Sequence, residues 1–162
     1  MFSLDALMIA LTQLGSPHSI LILCLMLAVF LITHKKTHHF FQFVIFITLG
    51  ALSVWIIKMY LQIPRPIGGL ITEYGYGFPS GHATMATLFS LLILYSYISH
   101  IKTRIGKYLF ILLGLTFAGA VAYSRVYLGV HSLADIAGGI CLGTFWFVLS
   151  VIFFKHLEER RK

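Results

Sequence analysis

The sequence predicts an all-α fold, a polytopic transmembrane helix bundle of five spans plus a short N-terminal interfacial or re-entrant helix. Six full spans are the alternative. Three observations predict this. Of 162 residues, 59% are hydrophobic and only 10% are charged, against about 45–50% apolar and about 25% charged in a soluble domain. The apolar residues gather in charge-free runs of the length that a helix needs to cross hydrocarbon, about 17–25 residues. The charges fall between those runs, as loop charges between membrane spans do. Together they exclude an ordinary soluble domain, a disordered chain and a nucleic-acid-binding module, despite a net charge of +7. The length suits one integral membrane domain, 1–162.

Four runs without Asp, Glu, Lys or Arg are predicted spans: residues 40–57, 83–101, 108–124 and 136–154. The first can extend through Lys58 toward Ile63, where Pro64 and Pro66 stop a helix. Upstream, Gly15-Ser16-Pro17 breaks an uncharged stretch into two pieces. Residues 19–33 just suffice to span, with His18 and His34 at the interfaces, whereas Leu4–Leu14 is too short to cross alone. In the shorter piece Leu4, Leu7, Met8, Leu11 and Leu14 recur at helical spacing, with Asp5, Thr12 and Gln13 elsewhere on the wheel. Asp5 and the lack of a basic segment beside it argue against a cleaved signal peptide. Cys24 and Cys141 lie inside apolar runs and are expected to pack as small hydrophobes rather than to form a disulfide. Gly139 with Gly143, and the ladder Gly114, Ala118 and Ala122, mark places where helix backbones approach closely in a compact bundle.

Alternating the spans puts nine of the twelve basic residues on one side, which is therefore cytoplasmic by the positive-inside rule. The other three, Lys58, Arg65 and Arg125, fall at the opposite face. Three stretches meet there: 58–66 (KMYLQIPRP), 79–82 (PSGH) and 124–135 (SRVYLGVHSLAD). Surplus cations at a membrane surface need an anion to neutralise them, and Arg forks onto phosphate oxygens while Lys adds a point charge. Ser80-Gly81-His82 opens a helix, where free N–H groups and the helix dipole favour an anion. Gly81 permits close backbone approach and Ser80 adds a hydroxyl. His131 and Asp135, at i and i+4, share a helical face, so the carboxylate can fix the imidazole tautomer and leave the other nitrogen free to attack. His82 can then protonate a departing oxygen. The set describes phosphate chemistry without a metal or cofactor.

Each piece alone has a plainer explanation. Lys58 and Arg125 fit snorkelling anchors, Pro79-Ser80-Gly81 fits a turn and an N-cap, and His131 with Asp135 fits a structural hydrogen bond. Their joint occurrence on one face is what points to a site.

These residues resemble the three motifs of the type 2 phosphatidic acid phosphatase superfamily, in its membrane-bound branch: K-x6-RP at Lys58 to Arg65-Pro66, PSGH at 79–82, and SR-x5-H-x3-D from Ser124-Arg125 through His131 to Asp135. The resemblance implies a metal-independent phosphatase that works through a phosphohistidine. It makes His131 the nucleophile, Asp135 its partner and His82 the leaving-group acid. Lys58, Arg65, Ser80, Gly81 and Arg125 would hold the phosphoryl oxygens. Membrane members usually have six spans and longer loops, so this chain is a small one.

A site at the membrane surface suits a lipid phosphate. Tyr74, Tyr76 and Phe78 in the Gly-rich segment 67–78 are expected at headgroup level, as anchors or as the lining of a lipid passage. In a bacterial inner membrane the site would face the periplasm. Undecaprenyl diphosphate is the favoured substrate, because compact loops offer little for reading a large sugar headgroup. Phosphatidylglycerol phosphate, phosphatidic acid and lipid A phosphates are the alternatives. Two rival classes are a phosphotransferase using the same intermediate, and a non-enzymatic protein holding haem or metal through His82 and His131. Three neighbouring cations argue against the metal.

Overall fold

The structure, a computed structural model, describes residues 3–16, 18–20, 22–26 and 37–160. It comprises α1 (Leu4–Leu14), α2 (His18–Met26, Leu21 aside), α3 (Thr37–Leu61), α4 (Gly81–Tyr97) with a 3-10 turn at Ile98–His100, α5 (Arg104–Tyr127) and α6 (Leu133–Glu159). There is no strand among the described residues, as the all-α expectation requires. Four helices are long and apolar enough to cross a membrane: Phe40–Leu61, Gly81–His100, Arg104–Tyr127 and Leu133–Leu157. The pair α1 and α2, bent by 53°, passes the same test as one broken span or a re-entrant loop. The expected span over 19–33 lies partly outside the described residues, which stop at 26 and resume at 37.

The helices overrun the charge-free runs because their ends are capped. Thr103 Oγ1 accepts from Gly106 N at 3.1 Å and starts α5 at Arg104. Ser132 and Asp135 form a reciprocal pair that starts α6: Asp135 N donates to Ser132 Oγ (3.2 Å), and Ser132 N donates to Asp135 Oδ2 (2.8 Å).

α4 is the central helix, packed against α3, α5 and α6, and 56% of its span is buried against 11% for α5. The expected close approach is made by α6. A Cβ on Gly139 would stand 2.7 Å from the Ser80 carbonyl, and one on Gly143 would stand 2.6 Å from that of Thr84. Gly114 admits the side chain of Leu94 in the same way. Ile20 and Cys24 of α2, Phe43 and Ile47 of α3, and Met85, Leu88 and Leu92 of α4 form the principal core. Cys24 and Cys141 are both free, the first buried and the second exposed. Leu109, Leu112 and Leu113 of α5 point outward, as residues facing lipid do.

In α1 the stripe of apolar residues divides. Met8 turns inward onto Leu128 and Val130, with Leu11 beside it, while Leu4, Leu7 and Leu14 are exposed and Thr12 is buried. A helix at a membrane can leave leucines on its outer face, so hydrophobicity alone does not say which side meets protein.

Candidate active site

The three motif stretches meet at one end of the bundle, where α3 and α5 finish and α4 and α6 begin. α3 ends before Pro64, and residues 62–80 fold back across that end: Gly77 N bonds the Ile63 carbonyl (2.7 Å) and Leu70 N bonds that of Leu128 (2.9 Å). The second crossing needs glycine on both strands of chain. Gly129 has φ +69, and a Cβ on Gly69 would stand 2.9 Å from the Leu128 carbonyl.

A cavity of about 600 Å³ lies beneath this loop, lined by Lys58, Arg65, Glu73, His82, Arg125 and His131. Its far wall is α1 and the start of α2, through Ile9, Thr12, Gln13, Ser16 and His18. This size is ordinary for a small-molecule site.

His131 and Asp135 are buried, and Nδ1 of His131 lies 3.3 Å from Asp135 Oδ2. Nε2 lies 3.0 Å from Arg65 Nη1. A guanidinium can only donate, so Nε2 accepts and the ring proton sits on Nδ1, directed at Asp135. Asp135 is held by its capping bond to Ser132, and its own carbonyl accepts from Ser80 N at 3.0 Å, tying the start of α6 to that of α4. Burial, followed by the charges of Arg65, Arg125 and Lys58, pushes the His131 imidazole down to about 4, against the smaller opposing effect of the Asp135 bond. The ring is therefore neutral near pH 7, and its contact with Asp135 is a hydrogen bond rather than an ion pair.

Arg65 is fixed by carbonyls, donating from Nε to Gly75 (3.2 Å), from Nη1 to Val130 (3.1 Å) and from Nη2 to Tyr74 (3.3 Å). Lys58 Nζ donates to the carbonyls of Tyr76 and, at 3.0 Å, of Gly77. Arg125 is fully buried; Nη2 lies 2.6 Å from Glu73 Oε1 and Nη1 lies 2.5 Å from Thr12 Oγ1. Its Nε–H is also buried and has no acceptor among the described residues.

Glu73 bridges the two arginines, with Oε2 3.3 Å from Arg65 Nη2. Burial pushes its carboxyl up, but the Arg125 hydrogen bond and both guanidinium charges outweigh this and hold it below the usual carboxylate range. A carboxylate thus sits where two forks converge, an anion seat that shares Arg65 with Nε2 of His131.

Of the eight residues expected from sequence, Lys58, Arg65, Gly81, His82, Arg125 and His131 line the cavity. Asp135 stands behind His131. Ser80 is fully buried under the site, and its Oγ caps α4 by accepting from Ala83 N at 3.4 Å. Sequence reasoning missed Glu73 as the partner of both arginines, Thr12 as a ligand of Arg125, and the carbonyls that hold Lys58 and Arg65. Glu73 was discoverable, being the single acid between the first and second motifs. Thr12 carries no motif and gave no signal.

A transmembrane helix bundle that gathers two histidines, an aspartate and three cations around an anion seat at one end belongs among the membrane-bound lipid phosphatases. Residues 43–159 match the PAP2 superfamily, and the chain is a member of it. A solved transmembrane PAP2-type phosphatidylglycerolphosphate phosphatase from Bacillus subtilis shares its architecture, with a TM-score of 0.83 over 98% of this chain and 78% of that one, at 28% identity. Dolichyldiphosphatase 1 of Mus musculus is 34% identical over 74% of this chain, which spans only 56% of that protein's length. An undecaprenyl-diphosphatase of Sulfolobus acidocaldarius is 31% identical over 92% of this chain and 70% of that protein.

Proposed function

We propose that this protein hydrolyses a polyprenyl diphosphate, undecaprenyl diphosphate in particular, at the non-cytoplasmic face of a bacterial inner membrane. The observation that carries the chemistry is the placement of His131 Nε2, unprotonated and beside the two-arginine anion seat, with Asp135 behind Nδ1. Two of the relatives above are named as diphosphatases of polyprenyl lipids. The likeness to a phosphatidylglycerolphosphate phosphatase supports that lipid as a second reading. The skew of basic residues to the opposite end supports the outward placement.

In this reading the terminal phosphate displaces the Glu73 carboxylate and takes donors from Arg65, Arg125 and Lys58. His131 Nε2 attacks phosphorus, forming an N–P bond as the bond to the bridging oxygen breaks. His82 gives its proton to the departing lipid phosphate. Water then attacks the phosphohistidine, His82 takes a proton from it, and orthophosphate leaves with His131 restored. Charge developing on the phosphoryl oxygens meets prearranged donors, which is where most phosphoryl-transfer catalysis arises.

The test is orthophosphate release by detergent-purified protein with EDTA present. The panel comprises undecaprenyl diphosphate, phosphatidylglycerol phosphate, phosphatidic acid and a lipid A precursor. Fastest release from undecaprenyl diphosphate, unaffected by EDTA, is the expected result. Faster release from another member of the panel would replace the substrate. A labelled phosphate that appears on an acceptor lipid instead of in water would make the protein a transferase.

A further inference from the structure

α1 lies outside the residues that match the superfamily, yet it reaches the centre of the site. It docks on the last turns of α5 through a ladder of pairs three to four residues apart along α1. A Cβ on Gly15 would stand 2.2 Å from Val121 Cγ1. Next along α1, Thr12 meets Arg125 and Met8 packs with Leu128. The Tyr127 hydroxyl donates to Asp5 Oδ1 at 2.8 Å. Thr12 is the rung that touches the chemistry, and it is buried like its partner.

We propose that Thr12 is a positioning residue for the reaction, acting through Arg125; the proposal rests on the phosphate-binding role given to Arg125 above. In the resting site Arg125 has two side-chain partners, Thr12 on Nη1 and Glu73 on Nη2, while its Nε–H has no acceptor among the described residues. Nε and Nη2 form the side-on edge of the guanidinium, the one suited to a bidentate bond with a phosphoryl group. A phosphate arriving on that edge displaces Glu73. Thr12 is then the protein partner that still holds the guanidinium in register. Its β-branched side chain has few rotamers in a helix, and the ladder on α5 fixes its backbone, so it is a stiff anchor. Rate depends steeply on the placement of such a donor. The N-terminal helix is in this way part of the active site.

Thr12→Val keeps the shape and deletes the acceptor, and Thr12→Ser keeps the acceptor. On the preferred lipid phosphate, Thr12→Val is expected to lower kcat at least tenfold with little change in KM, and to weaken inhibition by orthovanadate by a similar factor. Thr12→Ser should stay within about twofold of wild type. Equal losses in both variants would overturn the proposal. So would a Thr12→Val protein that melts earlier in detergent but, per folded molecule, turns over and binds orthovanadate like wild type, because α1 would then be packing only. If the wild type releases no phosphate from any lipid, the functional reading fails by itself. Orthovanadate affinity by calorimetry across the same three proteins still decides the role of Thr12.

Discussion

Arg65 Nη1 lies 3.0 Å from Nε2 of His131, on the side of the ring that Asp135 does not hold. The cation therefore faces a lone pair. It discourages protonation of that nitrogen while the carboxylate orients the opposite one, and one imidazole is kept neutral and aimed at the same time.

The titration of His131 follows. Its midpoint should lie near 4 in the folded protein, read by NMR of labelled histidine in micelles. Arg65→Gln removes a cation and should move the midpoint up toward the ordinary value, about 6.5. The unfolded chain takes up this proton first, so acidification from about 6.5 toward 4 should destabilise the fold progressively. A wild-type midpoint at or above 6.5 would contradict the arrangement.

His131→Ala should abolish phosphate release while the melting temperature in detergent stays close to that of wild type. Rapid acid-free quenching of wild type with labelled substrate should trap an acid-labile phosphoprotein, and the variant should give none. Turnover by the variant at the wild-type rate would end the phosphohistidine mechanism.

Arg125→Lys loses the planar fork and keeps the charge. One lost charge-assisted hydrogen bond corresponds to about 1.5–3 kcal/mol, so kcat/KM should fall by about 10- to 150-fold. A change under threefold would mean that Arg125 does not meet the phosphoryl group.

Glu73→Gln removes the carboxylate that competes for the anion seat. Inorganic phosphate should then inhibit at a lower concentration, by roughly threefold to tenfold, because a like charge no longer has to be displaced. Weaker inhibition would show instead that Glu73 serves mainly to hold the arginines in place.

Gly143→Ala puts a methyl group 2.6 Å from the Thr84 carbonyl. Forcing α6 from α4 in this way should cost about 1–3 kcal/mol, visible as a lower melting temperature. An unchanged melting temperature would mean that the two backbones do not meet there.

Much of the candidate site was legible in the sequence as a grouping of residues, because Lys, Arg, His and Asp have few other uses in a membrane, and six of the eight expected residues line one cavity. Charge-free runs mark the four long spans, and the unequal loops carry the expectation of their direction. Three cations on the face that should lack them then had to be explained. His131 and Asp135 were legible as a pair since both belong to one short stretch, where spacing fixes geometry. Ser80, expected as a phosphate donor from its place at a helix start, caps that helix beneath the cavity by accepting from Ala83 N. A capping role and a ligand role call for the same residue type, and sequence cannot separate them.

What the sequence by itself determined was local or additive: helices, their apolar spans, and which motif residues gather at one end. Tertiary structure alone decided the pairings between distant segments. Glu73 meets both arginines because the loop 62–80 folds back over the end of the bundle. Thr12 meets Arg125 because α1 turns a mixed face, Asp5, Met8 and Thr12 with Leu11 beside them, toward the end of α5, and leaves Leu4, Leu7 and Leu14 outside. In water the buried face of a helix is the apolar one, so its partner can be read from the pattern. At a membrane both faces are offered an apolar surrounding, and packing together with hydrogen bonding chooses between them.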